Sequence, residues 1–337
     1  MDPDRIGDAE RVPHGSSDDP DVLDLSANIN PRVPDGTRAV YEAAFESARS
    51  YPNDDYPEFR AAAADYVGCS PESVVPTAGG LAAIRLAIGV TVSPGEDVLV
   101  PYPSFGEYAR EVELAGGRPE FVAHDELLEC DPSEYAMAIV CTPNNPTGDL
   151  YVEDALVDFA DRCAAAGTVL LADEAFLGFT DRDSLAGREG CVVARSLTKL
   201  FGLPGLRAGF AVADGDLRDR LETARPAWSL GGPAAAVGAH AMRDTAFVAE
   251  TRRRVERERA YLRAELTDRG FDVRHSEAPF VLVKVGEDPT ALLDACRERG
   301  VVLRDATTFR GLTSHVRIAV RNREASDRLL SVLDEVR

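Results

Sequence analysis

Residues 191–207, CVVARSLTKLFGLPGLR, place a lysine just beyond a short apolar run that is typical of a buried β-strand. Lys199 is unusual here, because only Lys199 and Lys284 among the 37 basic side chains are lysines, and the others are arginines. A lysine amine forms a Schiff base with an aldehyde, which arginine does not, so Lys199 at a strand exit is predicted to have a chemical role. Lys284 lies on the polar side of the alternating run 280–285 and is predicted to be structural.

On either side of this stretch, short apolar runs alternate with helical segments. Strands are predicted over 97–101, 136–141, 168–172, 191–195 and 207–212, and helices over 81–90, 104–114 and 153–166. This alternation predicts an α/β fold in which helices cover both faces of a mainly parallel sheet. Ligands of such sheets bind beyond the carboxyl ends of the strands, so the strand exits are where functional residues are expected.

The pattern changes after residue 214. A long helix is predicted over about 233–269, followed by a smaller α+β unit with strands over 280–285, 301–304 and 315–320 and helices over 289–299 and 323–336. The first 45 residues are too irregular to form a sheet of their own and are predicted to pack on this smaller unit. We therefore predict an N-terminal segment (1–45), a large domain (46–232), and a linking helix with a C-terminal small domain (233–337).

The chain of 337 residues carries a formal net charge of −21, which disfavours nucleic acid or an anionic membrane surface as a partner. No apolar run approaches the roughly 18–20 residues of a membrane span, and the acidic start lacks a targeting pattern, so a cytoplasmic location is expected. The acidic, lysine-poor composition predicts a halophilic protein; simple compositional bias toward arginine is the alternative. The six cysteines lie far apart and predict neither a metal site nor a disulfide framework.

Other predicted strand exits carry polar residues that suit a phosphorylated pyridine cofactor. Asp173 ends a buried run, where a carboxylate is costly without a cation such as a protonated pyridine nitrogen; a helix N-cap is the alternative. Residues 77–81, TAGGL, precede a helix and suit a phosphate, although two glycines also form simple turns. The amide of Asn145 suits a phenolate oxygen, and Tyr108 suits stacking on a flat ring unless it belongs to the core.

Together these motifs resemble the fold-type I pyridoxal-phosphate enzymes, the aspartate-aminotransferase superfamily, over essentially the whole chain. The specific markers are NPTG at 145–148, DEA at 173–175, and SLTK at 196–199 with Arg207 eight residues further on. The resemblance implies pyridoxal 5′-phosphate as cofactor, no metal, and Lys199 and Asp173 as catalytic residues, with Lys199 forming the Schiff base and Asp173 pairing with the pyridine nitrogen. It further implies that Asn145 binds the ring oxygen, that Tyr108 stacks on the ring, and that the phosphate is held by Gly80, Leu81, Ser196 and Arg207, with Tyr51 from the neighbouring subunit of a homodimer.

Within this superfamily, the segment LDLSANINP at 23–31, after His14 and Gly15, is similar to the threonine-phosphate decarboxylases of cobalamin biosynthesis. These enzymes are close to the histidinol-phosphate aminotransferases. Ser16 departs from the decarboxylase pattern, which has a second glycine there. Phe176 fits that pattern, because the aminotransferases generally have a tyrosine that donates to the ring oxygen.

The resemblance implies a substrate site for a small phosphorylated amino acid, formed by His14, Gly15, Asn28, Asn145, Arg304 and Arg317. Arg317 is expected on the α-carboxylate and Arg304, Asn28 and His14 at the phosphate, although Arg310 and Arg321 lie near enough in the sequence to exchange roles with them. The implied reaction converts L-threonine O-3-phosphate to (R)-1-amino-2-propanol O-2-phosphate and CO₂. The alternatives are an aminotransferase for histidinol phosphate or another amino acid, and a pyridoxal-phosphate-binding DNA regulator, which the net charge disfavours.

Overall fold

A computed structural model describes residues 2, 6, 11–13, 15–17 and 19–336 of the chain. The α-helices are α1 (Thr37–Phe45), α2 (Pro57–Val67), α3 (Gly80–Thr91), α4 (Glu107–Leu114), α5 (Glu153–Ala166), α6 (Gly215–Ala224), α7 (Gly232–Arg243), α8 (Thr245–Asp268), α9 (Thr290–Glu298) and α10 (Arg323–Val336). The strands are β1 (Leu23–Asp24), β2 (Val74–Thr77), β3 (Asp97–Tyr102), β4 (Arg118–Ala123), β5 (Met137–Cys141), β6 (Val169–Asp173), β7 (Cys191–Ser196), β8 (Gly209–Val212), β9 (Asp272–Val273), β10 (Phe280–Lys284), β11 (Val301–Val302), β12 (Arg304–Asp305) and β13 (His315–Ala319).

A seven-stranded sheet in the order β2-β8-β7-β6-β5-β3-β4 forms the larger layer. The strands from β7 to β4 pair in parallel, whereas β8 runs antiparallel to both of its neighbours. Leu170 and Leu171 are adjacent on β6 and belong to separate buried clusters, because side chains alternate between the two faces of a strand. Helices therefore cover both faces, which confirms the predicted α/β architecture with a mainly parallel sheet.

A second sheet of four antiparallel strands, in the order β12-β13-β10-β9, follows in the chain. Its register places Arg304 of β12 directly opposite Arg317 of β13. The N-terminal segment joins this region, because β1 pairs in parallel with β11 and Ala319 donates its backbone N–H to the Leu25 carbonyl at 2.9 Å. Leu25 and the residues after it are thereby held beside the strand that carries Arg317.

Two predicted elements differ from the structure. The helix predicted over about 233–269 is two helices, because Asp244 ends α7 and its carboxylate caps α8 by accepting from the Phe247 N–H at 2.9 Å. The strand predicted over 301–304 is also divided, since β11 pairs with β1 whereas β12 pairs with β13. In both cases the boundary depends on a polar cap or on a pairing partner, and hydrophobic periodicity reports neither.

Among the described residues, no helix combines the length and the apolar character that crossing a membrane requires.

Candidate active site

The carboxyl ends of three neighbouring parallel strands bring the predicted catalytic residues to one edge of the large sheet. Asp173 is the last residue of β6, Lys199 lies three residues after β7, and Asn145 lies four residues after β5. These residues line a single cavity of about 400 Å³. Its lining also includes most of the other predicted site residues, namely Gly15, Asn28, Gly80, Leu81, Ser196, Arg207, Arg304 and Arg317.

Lys199 combines a restricted position with an amine that is reactive near neutral pH. Burial lowers the pKa of Lys199 to about 8, and repulsion from the charge of Arg317 adds to this effect, while Asp173 opposes it. The neutral amine, which is the nucleophile, is therefore well populated at mildly alkaline pH. The backbone is fixed as well, because Asn30 donates its N–H to the Lys199 carbonyl at 3.0 Å and its side-chain amide to the Leu200 carbonyl at 2.7 Å.

Asp173 is a buried carboxylate that two donors hold in place. The Tyr108 hydroxyl donates to its Oδ2 at 2.5 Å, and the Ala175 N–H donates to its Oδ1 at 3.0 Å. Burial raises the pKa of Asp173, and the hydrogen bond from Tyr108 opposes that rise. A cationic group in front of this carboxylate would stabilise its charged form, so the position fits a protonated ring nitrogen.

The structure corrects the prediction that Tyr108 stacks on the cofactor ring. Tyr108 is fully buried, with 0% of its surface exposed, and it lies beneath Asp173 with no face on the cavity. Phe105 lines the cavity instead, and its ring meets that of Tyr108 edge-on at 5.6 Å. Phe105 precedes α4 and its N-cap Gly106, whereas Tyr108 lies in the first turn of the helix, so the two side chains leave the chain in different directions.

The start of α3 forms a cradle for a phosphate group. Backbone N–H groups in the first turn of a helix have no partner within the helix, and here they belong to Gly80 and Leu81 on the cavity wall. A Cβ atom at Gly79 would lie 2.6 Å from Nη2 of Arg207, and Gly79 has a φ of +96°, so a glycine is required where Arg207 approaches. Ser196 completes the cradle, with its hydroxyl 2.7 Å from that of Thr198.

Two buried arginines form the opposite end of the cavity. Arg304 donates from Nη2 to the Pro13 carbonyl at 2.7 Å and to the Thr308 hydroxyl at 2.9 Å. Arg317 donates to the Asn145 Oδ1 at 2.5 Å and to the Ser26 carbonyl at 2.7 Å. No carboxylate among the described residues forms an ion pair with either guanidinium.

The electrostatics of this end favour an anion. Burial lowers the pKa of Arg317 to about 9, and repulsion from Arg304 contributes to the shift. Nε of Arg317 and Oδ1 of Asn28 are both buried without a hydrogen-bond partner in the described part of the chain. The unused Nε–H of Arg317 and the two adjacent cations indicate that a ligand with anionic groups completes the site, whereas Oδ1 of Asn28 is an acceptor and pairs only with a donor.

Two predicted site residues, Tyr51 and Tyr108, do not line this cavity. Tyr108 is in the core, and Tyr51 is 78% exposed and stacks on Trp228 at 4.4 Å. A further predicted residue, His14, lies outside the described residues. Its neighbour Gly15 lies so close to Arg304 that a Cβ there would be 2.8 Å from the Arg304 Cδ.

Several contributors to the site were not predicted from the sequence. Phe309 lies beneath both guanidinium groups, with ring-centroid distances of 5.4 Å to Arg304 and 5.8 Å to Arg317. Phe105, Asn30 and Thr308 also contribute to the site and were not predicted from the sequence. The local sequence around these residues does not distinguish them from core or turn residues. The one sequence signal was that Asn30 lies in the segment SANINP, on which the resemblance rests.

Comparison with known proteins identifies relatives over almost the whole chain. The model of the family "Aminotransferase class I and II" matches residues 20–333. Histidinol-phosphate aminotransferase 2 of Archaeoglobus fulgidus is 29% identical over 94% of this chain and 94% of its own length. The histidinol-phosphate aminotransferase of Haloarcula marismortui is 31% identical over 95% of this chain and 91% of its own.

Solved structures show the same fold. The histidinol-phosphate aminotransferase of Clostridium acetobutylicum superposes with a TM-score of 0.87 at 23% identity, covering 94% of this chain and 99% of that one. The L-threonine-O-3-phosphate decarboxylase of Porphyromonas gingivalis gives 0.84 at 22% identity, covering 93% and 99%. At these identities the structural likeness establishes the fold and leaves the reaction open.

Proposed function

Since the chain belongs to the aminotransferase class I and II family and is an enzyme that uses pyridoxal 5′-phosphate, we propose that it decarboxylates L-threonine O-3-phosphate. The product is (R)-1-amino-2-propanol O-2-phosphate, together with CO₂. The observation that carries the proposal is the pair of adjacent guanidinium groups of Arg304 and Arg317, with Nε of Arg317 unpartnered in the described part of the chain, in the cavity that holds Lys199. A substrate with a carboxylate and a phosphate on neighbouring carbons provides one anionic group for each arginine.

The residues of the cavity divide the work as follows. We propose that Gly80, Leu81, Ser196 and Arg207 hold the cofactor phosphate and that Asp173 and Asn145 contact the ring nitrogen and ring oxygen. The bound cofactor supplies a cationic ring that accepts the electrons of the bond breaking at Cα. Lys199 binds the cofactor and returns a proton to Cα after CO₂ leaves.

Orientation of the substrate selects the bond that breaks. We propose that Arg317 grips the α-carboxylate and that Arg304 and Asn28 hold the phosphate, with His14 beside them. Binding energy at the phosphate then fixes the Cα substituents relative to the ring, which is how remote contacts determine a reaction. Phe176 lines the cavity without a hydroxyl, so Asn145 is the amide donor left for the ring oxygen, as the decarboxylase pattern implies.

The second candidate is amino transfer to or from histidinol phosphate. The names of the relatives support this alternative better than they support decarboxylation. Every cofactor contact is the same in both reactions, so the two differ only in substrate and in the bond that breaks.

A product assay separates the two candidates. The purified, cofactor-loaded protein is given L-threonine O-3-phosphate without any keto acid in molar KCl, and CO₂ and aminopropanol phosphate are measured. A parallel reaction contains glutamate and imidazole-acetol phosphate. We expect stoichiometric CO₂ in the first reaction; amino transfer in the second without CO₂ in the first would replace decarboxylation by the alternative.

Arg304→Ala is expected to lower kcat/KM for phosphorylated substrates roughly 10- to 100-fold, because a hydrogen bond to a charged group contributes about 1.5–3 kcal/mol. The loss of kcat/KM with unphosphorylated L-threonine should be much smaller. Arg310→Ala is the control, since Arg310 is exposed and its guanidinium lies over the Phe121 ring at 3.7 Å. Equal losses for both substrates, or a larger loss in the Arg310 variant, would show that the phosphate subsite is misplaced.

We propose that the protein is a homodimer in which Tyr51 reaches the cofactor phosphate of the partner. Tyr51 and Trp228 are 78% and 48% exposed, and their stacked rings form an aromatic surface patch. A mostly apolar groove of about 420 Å³, which includes Ala82 and Leu86 of α3 and Pro226, lies on the same protomer and suits a second copy. We expect a solution mass of twice the 36.3 kDa chain; a monomer that binds cofactor tightly would contradict this role of Tyr51.

We further propose that the protein is halophilic, on the strength of its net charge of −21 and its two lysines. The melting temperature is expected to rise with KCl and to continue rising above 1 M. Screening of charge repulsion is nearly complete at 1 M, where the Debye length is about 3 Å, so a further rise requires favourable hydrated-ion contacts. A melting temperature that is constant above 1 M would support compositional bias instead.

A further inference from the structure

The loop after β5, residues 142–149, carries Asn145 and closes on itself. The Asn144 N–H donates to the Asp149 carbonyl at 2.8 Å, and the Gly148 N–H donates to the Asn144 carbonyl at 2.7 Å. The Asn144 side-chain amide also donates to the Thr147 hydroxyl at 2.9 Å. Asn145 therefore lies within a small hydrogen-bonded ring, and the orientation of its amide depends on where the end of that ring at Asp149 is held.

The Asp149 carboxylate is held from two directions. His124, directly after β4 of the seven-stranded sheet, places Nε2 at 2.7 Å from Oδ2. Arg274, directly after β9 of the four-stranded sheet, places Nη2 at 2.9 Å from Oδ2 and Nε at 3.3 Å from Oδ1. Burial acts to raise the pKa of Asp149, but the hydrogen bonds from His124 and Arg274 outweigh it and hold that pKa well below its usual range.

The four-stranded sheet and the connection between its strands β9 and β10 contact the same loop at two further points. The Glu277 N–H donates to the Gly148 carbonyl at 2.8 Å, and Arg317 donates to the Asn145 Oδ1 at 2.5 Å. Gly148 has a φ of +80°, and a Cβ there would overlap the Ser276 hydroxyl, so this approach requires glycine. The loop follows a strand of the large sheet but is attached to the small one.

Arg274 and Arg317 belong to one row across the small sheet. The Arg274 N–H donates to the Leu282 carbonyl at 2.9 Å, and Leu282 on β10 lies opposite Arg317 on β13. Both arginines reach from this row to the loop, Arg317 to Asn145 and Arg274 to Asp149. Two charged contacts on a rigid row fix both the position and the tilt of the loop between them.

We propose that Arg274 is a positioning residue, whose bidentate contact with Asp149 holds the Asn145 amide with its oxygen on Arg317 and its N–H toward the cofactor. Loss of the contact lets the loop tilt and weakens the hydrogen bond of Asn145 to the ring oxygen. The inference rests on the proposed cofactor contact of Asn145, but it is the same for decarboxylation and for amino transfer. It assigns a role in the reaction to the ion pair between the exposed Arg274 and the half-buried Asp149.

The test compares Arg274→Gln with Arg118→Gln. Arg118 makes an equivalent bidentate contact with Asp97, with N–O distances of 2.7 and 2.9 Å. This contact joins the first residues of β3 and β4, at the amino ends of the strands of the large sheet. The readout is the pH midpoint of the visible band of the bound cofactor, without substrate. A weaker donor to the ring oxygen should raise this midpoint in Arg274→Gln by about half a pH unit, a threefold change, and leave it unchanged in Arg118→Gln.

Two further variants test the route of the effect. Asp149→Asn should raise the midpoint as Arg274→Gln does, and Arg274→Lys should raise it by less than Arg274→Gln, because lysine keeps the charge but lacks the planar fork that makes the bidentate contact. A shift in Arg274→Gln without one in Asp149→Asn would overturn the proposal, as would equal midpoints in the Arg274 and Arg118 variants.

A measurement without cofactor separates this inference from the proposed function. Amide hydrogen exchange of the peptide 142–150 in the cofactor-free protein should be about threefold faster in Arg274→Gln than in Arg118→Gln. Equal exchange rates would overturn the role of Arg274 even if the enzyme is a decarboxylase. Faster exchange together with a product assay that shows neither CO₂ nor amino transfer would instead leave the role of Arg274 intact and refute the proposed reaction.

Discussion

Lys199→Ala is expected to abolish turnover of every substrate and to remove the visible absorbance that the cofactor acquires on binding to the lysine. Both losses follow from the proposed role of the amine, whose pKa burial lowers to about 8, as the group that bonds the cofactor and moves a proton at Cα. The measurements are an absorbance spectrum of the loaded protein and an assay with either substrate pair.

Lys284→Ala is the matched control, because Lys284 is the other lysine of the chain and its side chain is exposed at the end of β10. Borohydride reduction followed by peptide mapping should find the cofactor on the peptide with Lys199 and none on the peptide with Lys284. Full activity of Lys199→Ala, or a label on Lys284, would refute the central assignment.

Asp173→Asn is expected to lower kcat/KM by roughly 10²–10⁴, the equivalent of about 3–5 kcal/mol for removing one partner of a buried ion pair. The substitution keeps the size of the side chain and removes the charge that we propose holds the ring nitrogen protonated. The loss should therefore be in kcat with either substrate pair, and the absorbance of the bound cofactor should change.

Tyr108→Phe provides the comparison, since it removes only the hydroxyl that donates to Asp173 at 2.5 Å. The lost bond leaves the carboxylate in place, so we expect a loss of roughly tenfold, in the range of a single hydrogen bond to a charged group. If Asp173→Asn kept more than a tenth of the activity, the carboxylate would not be the partner of the ring nitrogen.

Arg207 and Asn145 show how much of the site local sequence carries. Each lies in a short motif whose residues are close along the chain, and each lines the cavity where the motif predicted it. Tyr108 shows the limit, because a motif places two aromatic residues near a strand end but does not say which of them faces the ligand. Phe105, in the loop before α4, lines the cavity, whereas Tyr108, in the first turn of α4, is in the core.

The sequence by itself determined the α/β architecture, the strand exits that carry Lys199 and Asp173, and the glycines before α3, because periodicity and turn residues act over a few neighbouring positions. Only the tertiary structure decided that Arg304 and Arg317 lie opposite each other on neighbouring strands and that Arg274 contacts Asp149 in the loop of Asn145. Arg274 and Asp149 are 125 positions apart, and Arg317 and Asn145, which also meet, are 172 positions apart. Strand pairing and packing create such neighbours, and no local pattern in the chain records them.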